Sequence, residues 1–200
     1  MARRRLDAEL VRRGLTTSRT QARELIESGR VTVSGLLATK PANQVDQAAP
    51  IEVQAGNEPD YVSRGAHKLV GALDAFAGLY PPIQGAKCLD AGASTGGFTD
   101  VLLRRGAAEV IAVDVGYGQL AWKLRSDPRV VVVERTNIRT LDPQTVGSPP
   151  SLVVADLSFI SLTLVLENLV RCAPDATMIL MVKPQFEVGK GKVGAKGVVR

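Results

Sequence analysis

Five residues of this 200-residue chain combine a reactive side chain with a suggestive position. Asp90, Asp114, Asp156 and Lys183 each close a short apolar run, and Lys68 lies near the start of an apolar-striped segment. Asp90 also opens the loop Asp90-Ala91-Gly92-Ala93-Ser94-Thr95-Gly96-Gly97-Phe98. Glycines after a strand let the backbone approach a ligand closely. A dinucleotide is one candidate occupant, since Asp114 stands 22 residues beyond Gly92, near the spacing of a ribose-binding acid. The glycine order argues against it: a pyrophosphate cradle wants G-x-G-x-x-G, whereas the loop reads Gly-Ala-Ser-Thr-Gly-Gly.

S-adenosylmethionine carries no phosphate, and its amino-acid end needs close backbone approach plus an acceptor for an ammonium group. The turn Gly92, Ser94, Thr95, Gly96, Gly97 and Phe98, with Asp90 beside it, offers both. Asp114 then accepts from the ribose hydroxyls, Asn137 meets the adenine region, and Asp156 borders the same site. Phe159 walls the cofactor, stacks on a base, or belongs to the core. The plainer alternative, that the glycines only permit a tight turn and helix packing, leaves the terminal acids unexplained.

Two lysines and an acid suit methylation of a ribose hydroxyl. That hydroxyl is a poor nucleophile near neutral pH, so a positioned group must take up its proton as it attacks the sulfonium methyl in line. A lysine can do so when a cationic neighbour or desolvation favours its neutral form. The expected set is Lys68 and Lys183, each perturbing the other, with Asp156 orienting the pair. Either lysine also reads as an ordinary exposed side chain.

The elements that must carry these residues follow from the pattern. Strands are expected at 87–90, 110–113, 130–133, 152–155 and 178–182, with helices at 66–76, 98–105, 120–124 and 162–170 between them. Near-continuous apolar strands with helical crossovers imply a parallel sheet covered on both faces, with ligands beyond the carboxyl ends of the strands. Asp90, Asp114, Asp156 and Lys183 would all face that crevice. Ahead of this region, Leu6, Leu10 and Val11 mark one helix. Ser18 with Gln21 starts a second, carrying Ala22, Leu25 and Ile26, and the segments 31–33 and 51–53 form strands. The polar stretch 55–60 separates the two regions.

The net charge of +5 is uneven along the chain. Residues 1–30 hold eight Arg against four acids, residues 31–182 twelve basic against fifteen acidic residues, and residues 183–200 five against one. An arginine-rich start suits bidentate phosphate contacts, so Arg3, Arg4, Arg5, Arg12, Arg13, Arg19, Arg23 and Lys40 are candidate RNA contacts. Arg64, Arg135 and Arg139 are candidates near the crevice. A solvated charged face is the competing reading. Cys88 and Cys172 read as buried thiols, His67 as a polar helix residue rather than a metal ligand, and Tyr117 and Trp122 as packing groups. No metal site is expected. No stretch approaches the roughly 18 apolar residues of a membrane helix, and no signal peptide opens the chain, so a cytoplasmic protein is expected.

These motifs resemble a known family. Arg5-Leu6-Asp7, Leu10-Val11-Arg12-Arg13-Gly14-Leu15, Ser18-Arg19, Ala22, Leu25-Ile26, Gly29 and Val31 look like the RNA-binding domain of a small-subunit ribosomal protein. Ser63-Arg64-Gly65-Ala66-His67-Lys68-Leu69, the 90–98 loop, Asp114-Val115-Gly116-Tyr117-Gly118-Gln119-Leu120, Asp156-Leu157-Ser158-Phe159-Ile160-Ser161 and Lys183-Pro184-Gln185-Phe186-Glu187 look like FtsJ-type methyltransferases. The combination is similar to the TlyA family, also known as haemolysins.

The resemblance implies a Rossmann-like class I methyltransferase domain of α/β class at 64–200, incomplete at its C-terminus. A small α+β RNA-binding domain at 1–56 and a linker at 57–63 would precede it. It implies S-adenosylmethionine-dependent 2′-O-methylation of cytidine in 16S and 23S ribosomal RNA, with ribosomal subunits as partners and a monomer favoured. The family's Lys-Asp-Lys-Glu set maps onto Lys68, Asp156 and Lys183. Its glutamate has no match before Arg200, and Glu187 belongs to a different motif. A non-catalytic ribosome-assembly factor is the alternative. A membrane-lytic role lacks any apolar span or long cationic amphipathic helix.

Overall fold

A computed structural model describes residues 3–54, 60–188, 190–194 and 198–199. The chain divides into two compact units, Met1–Asp60 and Tyr61–Arg200. Most of the stretch expected to separate them, 55–59, lies outside the described residues.

In the first unit, α1 (Leu6–Arg12) buries Leu6 and Leu10, one helical turn apart, and α2 (Arg19–Glu27) buries Ala22 and Ile26 at the same spacing. Ser18 caps α2 by accepting from the Gln21 N–H, as its spacing predicts. Val31 and Val45 complete this core. The central strand β2 (Val31–Val33) lies antiparallel to both β3 (Leu36–Leu37) and β5 (Ile51–Val53). Ser34 and Gly35 join β2 to β3 with φ of +52° and +79°, the two positive values a tight hairpin needs. A further pair, β1 (Arg3–Arg5) with β4 (Gln44–Asp46), was not expected from the sequence. Three consecutive arginines carry no alternation, and the strand exists only through its partner some forty positions away.

The second unit holds five parallel strands in the order β10-β9-β6-β7-β8. These are β6 (Lys87–Ala91), β7 (Glu109–Val113), β8 (Val130–Val133), β9 (Leu152–Ala155) and β10 (Thr177–Leu180). Alternation along them builds two cores. Cys88, Val110, Ala112, Leu152 and Val154 pack beneath α3 (Ala66–Ala75), α4 (Gly97–Arg104) and α5 (Trp122–Arg125). Leu89, Ile111, Val113, Val153 and Ala155 face the opposite layer, which includes α6 (Pro143–Val146) and α7 (Leu166–Cys172). Both cysteines are buried and unpaired. The short helix α8 (Pro184–Glu187) follows β10.

Two expected helices differ in detail. The one at 120–124 is four residues long and starts at Trp122, and the one at 162–170 is a 3₁₀ turn followed by α7. From β6 the chain adds β7 and β8 on one side, then crosses to place β9 and β10 on the other. The switch point between β6 and β9 opens a crevice at their carboxyl ends. Among the described residues no helix is long and apolar enough to cross a membrane, and no cluster of metal-ligating side chains occurs.

Candidate active site

The glycine loop sits over this switch point. The N–H groups of Gly92 and Ala93 both donate to the Val113 carbonyl, binding the loop to the end of β7. Gly92 has φ +88°, and a Cβ there would meet Leu157 at 3.0 Å and the Asp156 carbonyl at 3.4 Å. Only glycine lets β6 and β9 leave the sheet this close together. Asp114 completes the rim: Oδ2 accepts from the Ser94 N–H at 2.8 Å and Oδ1 from the Gly116 N–H at 2.7 Å.

Two cavities open here. One, of about 450 Å³, is lined in part by Gly92, Ser94, Asp114, Asn137, Asp156 and Phe159. The other, of about 240 Å³, includes Lys68, Thr95, Gly97, Phe98, Asp156 and Lys183 in its wall. They share Gly92, Ser94, Asp156 and Ser158. Most of the residues expected around a cofactor therefore line one cavity or the other, and two do not.

Asp90 is one exception. Strand alternation points it to the same face as Cys88, beneath α4, so it is fully buried and accepts from the Thr99 hydroxyl at 2.7 Å rather than lining either cavity. Burial pushes its carboxyl up to about 7, against the opposing pull of the Thr99 contacts. Oδ2 thus anchors α4 under the loop, while Oδ1 is buried without a hydrogen-bond partner among the described residues. Gly96 is the other exception: a Cβ there would lie 2.2 Å from Leu124 and 2.8 Å from Leu120, so this glycine admits α5 to the core. Asn137 lines the larger cavity and also caps a 3₁₀ turn through the Arg139 N–H.

Lys68 from α3, Asp156 after β9 and Lys183 after β10 meet as the sequence led one to expect. Lys68 Nζ donates to Asp156 Oδ2 at 2.9 Å, and Lys183 Nζ lies 2.6 Å from Oδ1. Burial pushes the Asp156 carboxyl up, but Lys183 and then Lys68 outweigh it and hold the group below the ordinary carboxylate range. Lys183 also donates to the Ser158 hydroxyl at 2.8 Å. Ser158, Ser63 and Gly65 were missed as site residues. All three had a signal, Ser158 in its place two positions after Asp156 and Ser63 and Gly65 in the motif that contains Lys68. Phe159 is 91% exposed at φ +64° and so is not a core residue. Tyr117 and Trp122, expected to pack, are exposed as well. The Tyr117 ring carries the Arg135 guanidinium 4.3 Å from its centre. Arg64 and Arg139 are also exposed.

The arginines of the first unit are organised by two buried acids. Asp7 receives Arg5 at 3.1 and 2.8 Å and Arg19 at 2.9 Å. Glu9 receives Arg12 at 2.8 and 2.5 Å and Arg13 at 2.8 Å, with Arg4 at 4.0 Å. Arg13 departs from its expected role. Its remaining nitrogens donate to the Ala49 and Gln47 carbonyls, so its fork is spent on holding the turn after β4. Arg3, Arg23 and Lys40 are exposed. Arg19, Thr20, Arg23 and Asp7 line a separate cavity of about 340 Å³.

The similarities to known proteins follow the same division. An S4 domain matches residues 4–49 and an FtsJ-like methyltransferase domain matches 61–200. The chain is 64% identical over 201 aligned positions to the 16S/23S rRNA (cytidine-2′-O)-methyltransferase TlyA of Mycobacterium tuberculosis, covering 100% of this chain and 74% of that protein. It is 39% identical to Hemolysin A of Brachyspira hyodysenteriae, covering 98% of this chain and 80% of the relative. A solved haemolysin-named structure from Streptococcus thermophilus superimposes with a TM-score of 0.69 at 40% identity, covering 100% of this chain and 72% of that one. With an S4 domain ahead of a Rossmann-like catalytic unit, the chain belongs to the FtsJ-like methyltransferases, in the branch that includes the TlyA proteins.

Proposed function

We propose that this methyltransferase transfers a methyl group from S-adenosylmethionine to the ribose 2′-hydroxyl of cytidine in 16S and 23S ribosomal RNA, acting on ribosomal subunits in the cytoplasm. The observation that carries this reading is the Lys68–Asp156–Lys183 constellation, which lines the smaller cavity and meets the larger one at Asp156.

The residues fit the cofactor. The larger cavity offers Asp114 to a ribose and Asn137 and Phe159 to a nucleoside, and the smaller offers Thr95 and Gly97 to an amino-acid tail. When bound, S-adenosylmethionine supplies an electrophilic sulfonium methyl. Asp156 fixes both lysines; Lys183 Nζ, once it has released a proton to solvent, is the free amine that takes the proton of the attacking hydroxyl, while Lys68 keeps its charge as the counter-ion of Asp156. Ser158 holds Lys183 in one rotamer, so the acceptor is positioned before the substrate arrives.

The first unit supplies RNA affinity through Arg3, Arg4, Arg5, Arg12, Arg19, Arg23 and Lys40. Arg64, Arg135 and Arg139 are the candidate phosphate contacts of the second unit. The test is transfer of labelled methyl from S-adenosylmethionine to isolated ribosomal subunits, repeated with Lys183→Ala. The expected result is label on cytidine ribose, with the variant slower by roughly 10²–10⁴-fold. Label on base atoms, or a fully active variant, would overturn the proposal.

A further inference from the structure

Glu187 has no part in the chemistry described so far. It lies four positions past Lys183, at the end of the one-turn helix α8. Its carboxylate reaches across to the neighbouring strand's loop, where Oε2 accepts from the Ser161 hydroxyl at 2.6 Å and Oε1 from the Leu162 N–H at 2.9 Å. These two donors, Ser161 foremost, hold the Glu187 carboxyl below its ordinary range, so it stays an acceptor.

Asp156 and Lys183 need some such restraint. The β9–β10 ladder ends at the pair Ala155 and Leu180, with one more bond from the Met181 N–H to the Ala155 carbonyl at 2.9 Å. Beyond that point the segments carrying Asp156 and Lys183 diverge as a loop with a 3₁₀ turn and a single turn of helix, neither of which is stable alone. Side chains join them instead. Glu187 bridges to Ser161 and Leu162, Lys183 donates to Ser158, and the Phe159 and Phe186 rings meet at 5.4 Å. Phe159 is held at φ +64°, a conformation that a bulky aromatic adopts only where its surroundings impose it. Of these links only Glu187 makes two charge-assisted hydrogen bonds, one of them to backbone.

We propose that Glu187 is a positioning residue that locks the 156–162 loop to the 183–187 turn, and so sets Lys183 against Asp156 and Ser158 and presents Phe159 at the crevice. The proposal rests on Lys183 being the proton acceptor.

The test compares Glu187→Gln, Ser161→Ala and the double variant in the whole protein, using kcat for subunit methylation, cofactor affinity, and amide hydrogen exchange. Glutamine keeps the shape of the side chain but turns one acceptor into a donor facing a donor. The expected result is a roughly tenfold loss of kcat with cofactor affinity unchanged within about twofold. Exchange should quicken together in 158–165 and 183–188. Ser161→Ala should cost less, and the double variant no more than Glu187→Gln alone, because both break one interaction.

Full kcat in Glu187→Gln while Lys183→Ala is inactive would overturn the positioning role. So would single losses that multiply in the double variant, or unchanged exchange. A drop in the melting temperature of Glu187→Gln with full kcat per folded molecule would reduce Glu187 to a structural residue and overturn it too. Should Glu187→Gln fail to fold, Glu187→Asp, charged but one methylene short, is expected to show an intermediate kcat loss. If Lys183→Ala keeps its activity, the proposed function falls instead, and hydrogen exchange still reports whether the lock exists.

Discussion

In the first unit two buried acids, Asp7 and Glu9, hold Arg5, Arg12, Arg13 and Arg19, while in the second a single acid, Asp156, holds Lys68 and Lys183. The arrangement is similar and the chemistry is not. A guanidinium has five N–H donors and keeps its charge throughout the accessible pH range, so an acid can take two of them and leave the rest for a phosphate. The acids turn flexible arginines into a fixed array of donors, of which only Arg13 is spent internally. An ammonium is a single nitrogen that can give up its proton. Two lysines on one carboxylate make a site in which a proton can move. On the proposed function the type of cation separates a unit that grips from a unit that reacts.

The largest expected effect removes the acid from the reactive unit. Asp156→Asn keeps the shape of the side chain but leaves Lys68 and Lys183 facing each other without a counter-charge. Single-turnover methylation should fall by roughly 10²–10⁴-fold, because Lys183 loses the partner that positions it for the hydroxyl proton, while binding to ribosomal subunits holds. A loss of subunit binding as large as the loss of rate would show that the two units do not divide the work in this way.

The same substitution in the gripping unit gives a smaller and more diagnostic change. Asp7→Asn raises the unit's charge by one, and electrostatics alone would tighten RNA binding. If Asp7 organises Arg5 and Arg19, the amide instead points donors at donors and frees both side chains. RNA affinity should weaken by roughly 3- to 10-fold, and the slope of log affinity against log salt should become shallower by about 1 for each phosphate that is no longer neutralised. Tighter binding with a steeper slope would break the comparison, leaving Asp7 as a counter-charge only.

Much of this was legible in the sequence where the cause is local. Apolar runs ending in Asp114, Asp156 and Lys183 fixed both the strands and the crevice, because a parallel sheet buried on both faces leaves little freedom in where its polar ends lie. The Ser18 cap was legible for the same reason. What could not be read depends on distant partners. β1 exists through β4, the role of Glu187 depends on Ser161 26 positions earlier, and Asp90 required knowing which face of β6 lies under α4. Glu9 was an intermediate case. Its spacing of three and four to Arg12 and Arg13 was visible, but the burial that makes it the anchor of both depends on how α1 packs.

The smallest expected effect contrasts the acids of the two units by pH. Arg12 and Arg13 bring the Glu9 carboxyl down to about 2, and Arg5 foremost holds Asp7 well below the carboxylate range. An acid depressed by folding adds stability that is present above its unfolded pKa and is lost as the pH falls through its folded value. The first unit should therefore weaken on acidification from about pH 4.5 towards 2. Asp90 has the opposite sign. Burial raises it from 3.8 to about 7, so the folded state binds its proton more tightly than the unfolded chain, and the second unit should gain stability as the pH falls from about 7 towards 3.8. Asp100, Asp127, Asp156 and Glu187, all depressed, oppose the gain only as the pH nears their ordinary values of 3.8 and 4.5, so the interval from pH 7.5 to 5.5 isolates Asp90. Thermal unfolding followed by hydrogen exchange in each unit at pH 7.5, 5.5 and 3.5 separates the two trends. The second unit should rise by on the order of 5 °C between the first two conditions, and Asp90→Asn should remove that rise. A second unit that loses stability over this interval would mean that Asp90 is ionised and paired in the folded protein, and its place would then be beside a cation at the crevice rather than beneath α4.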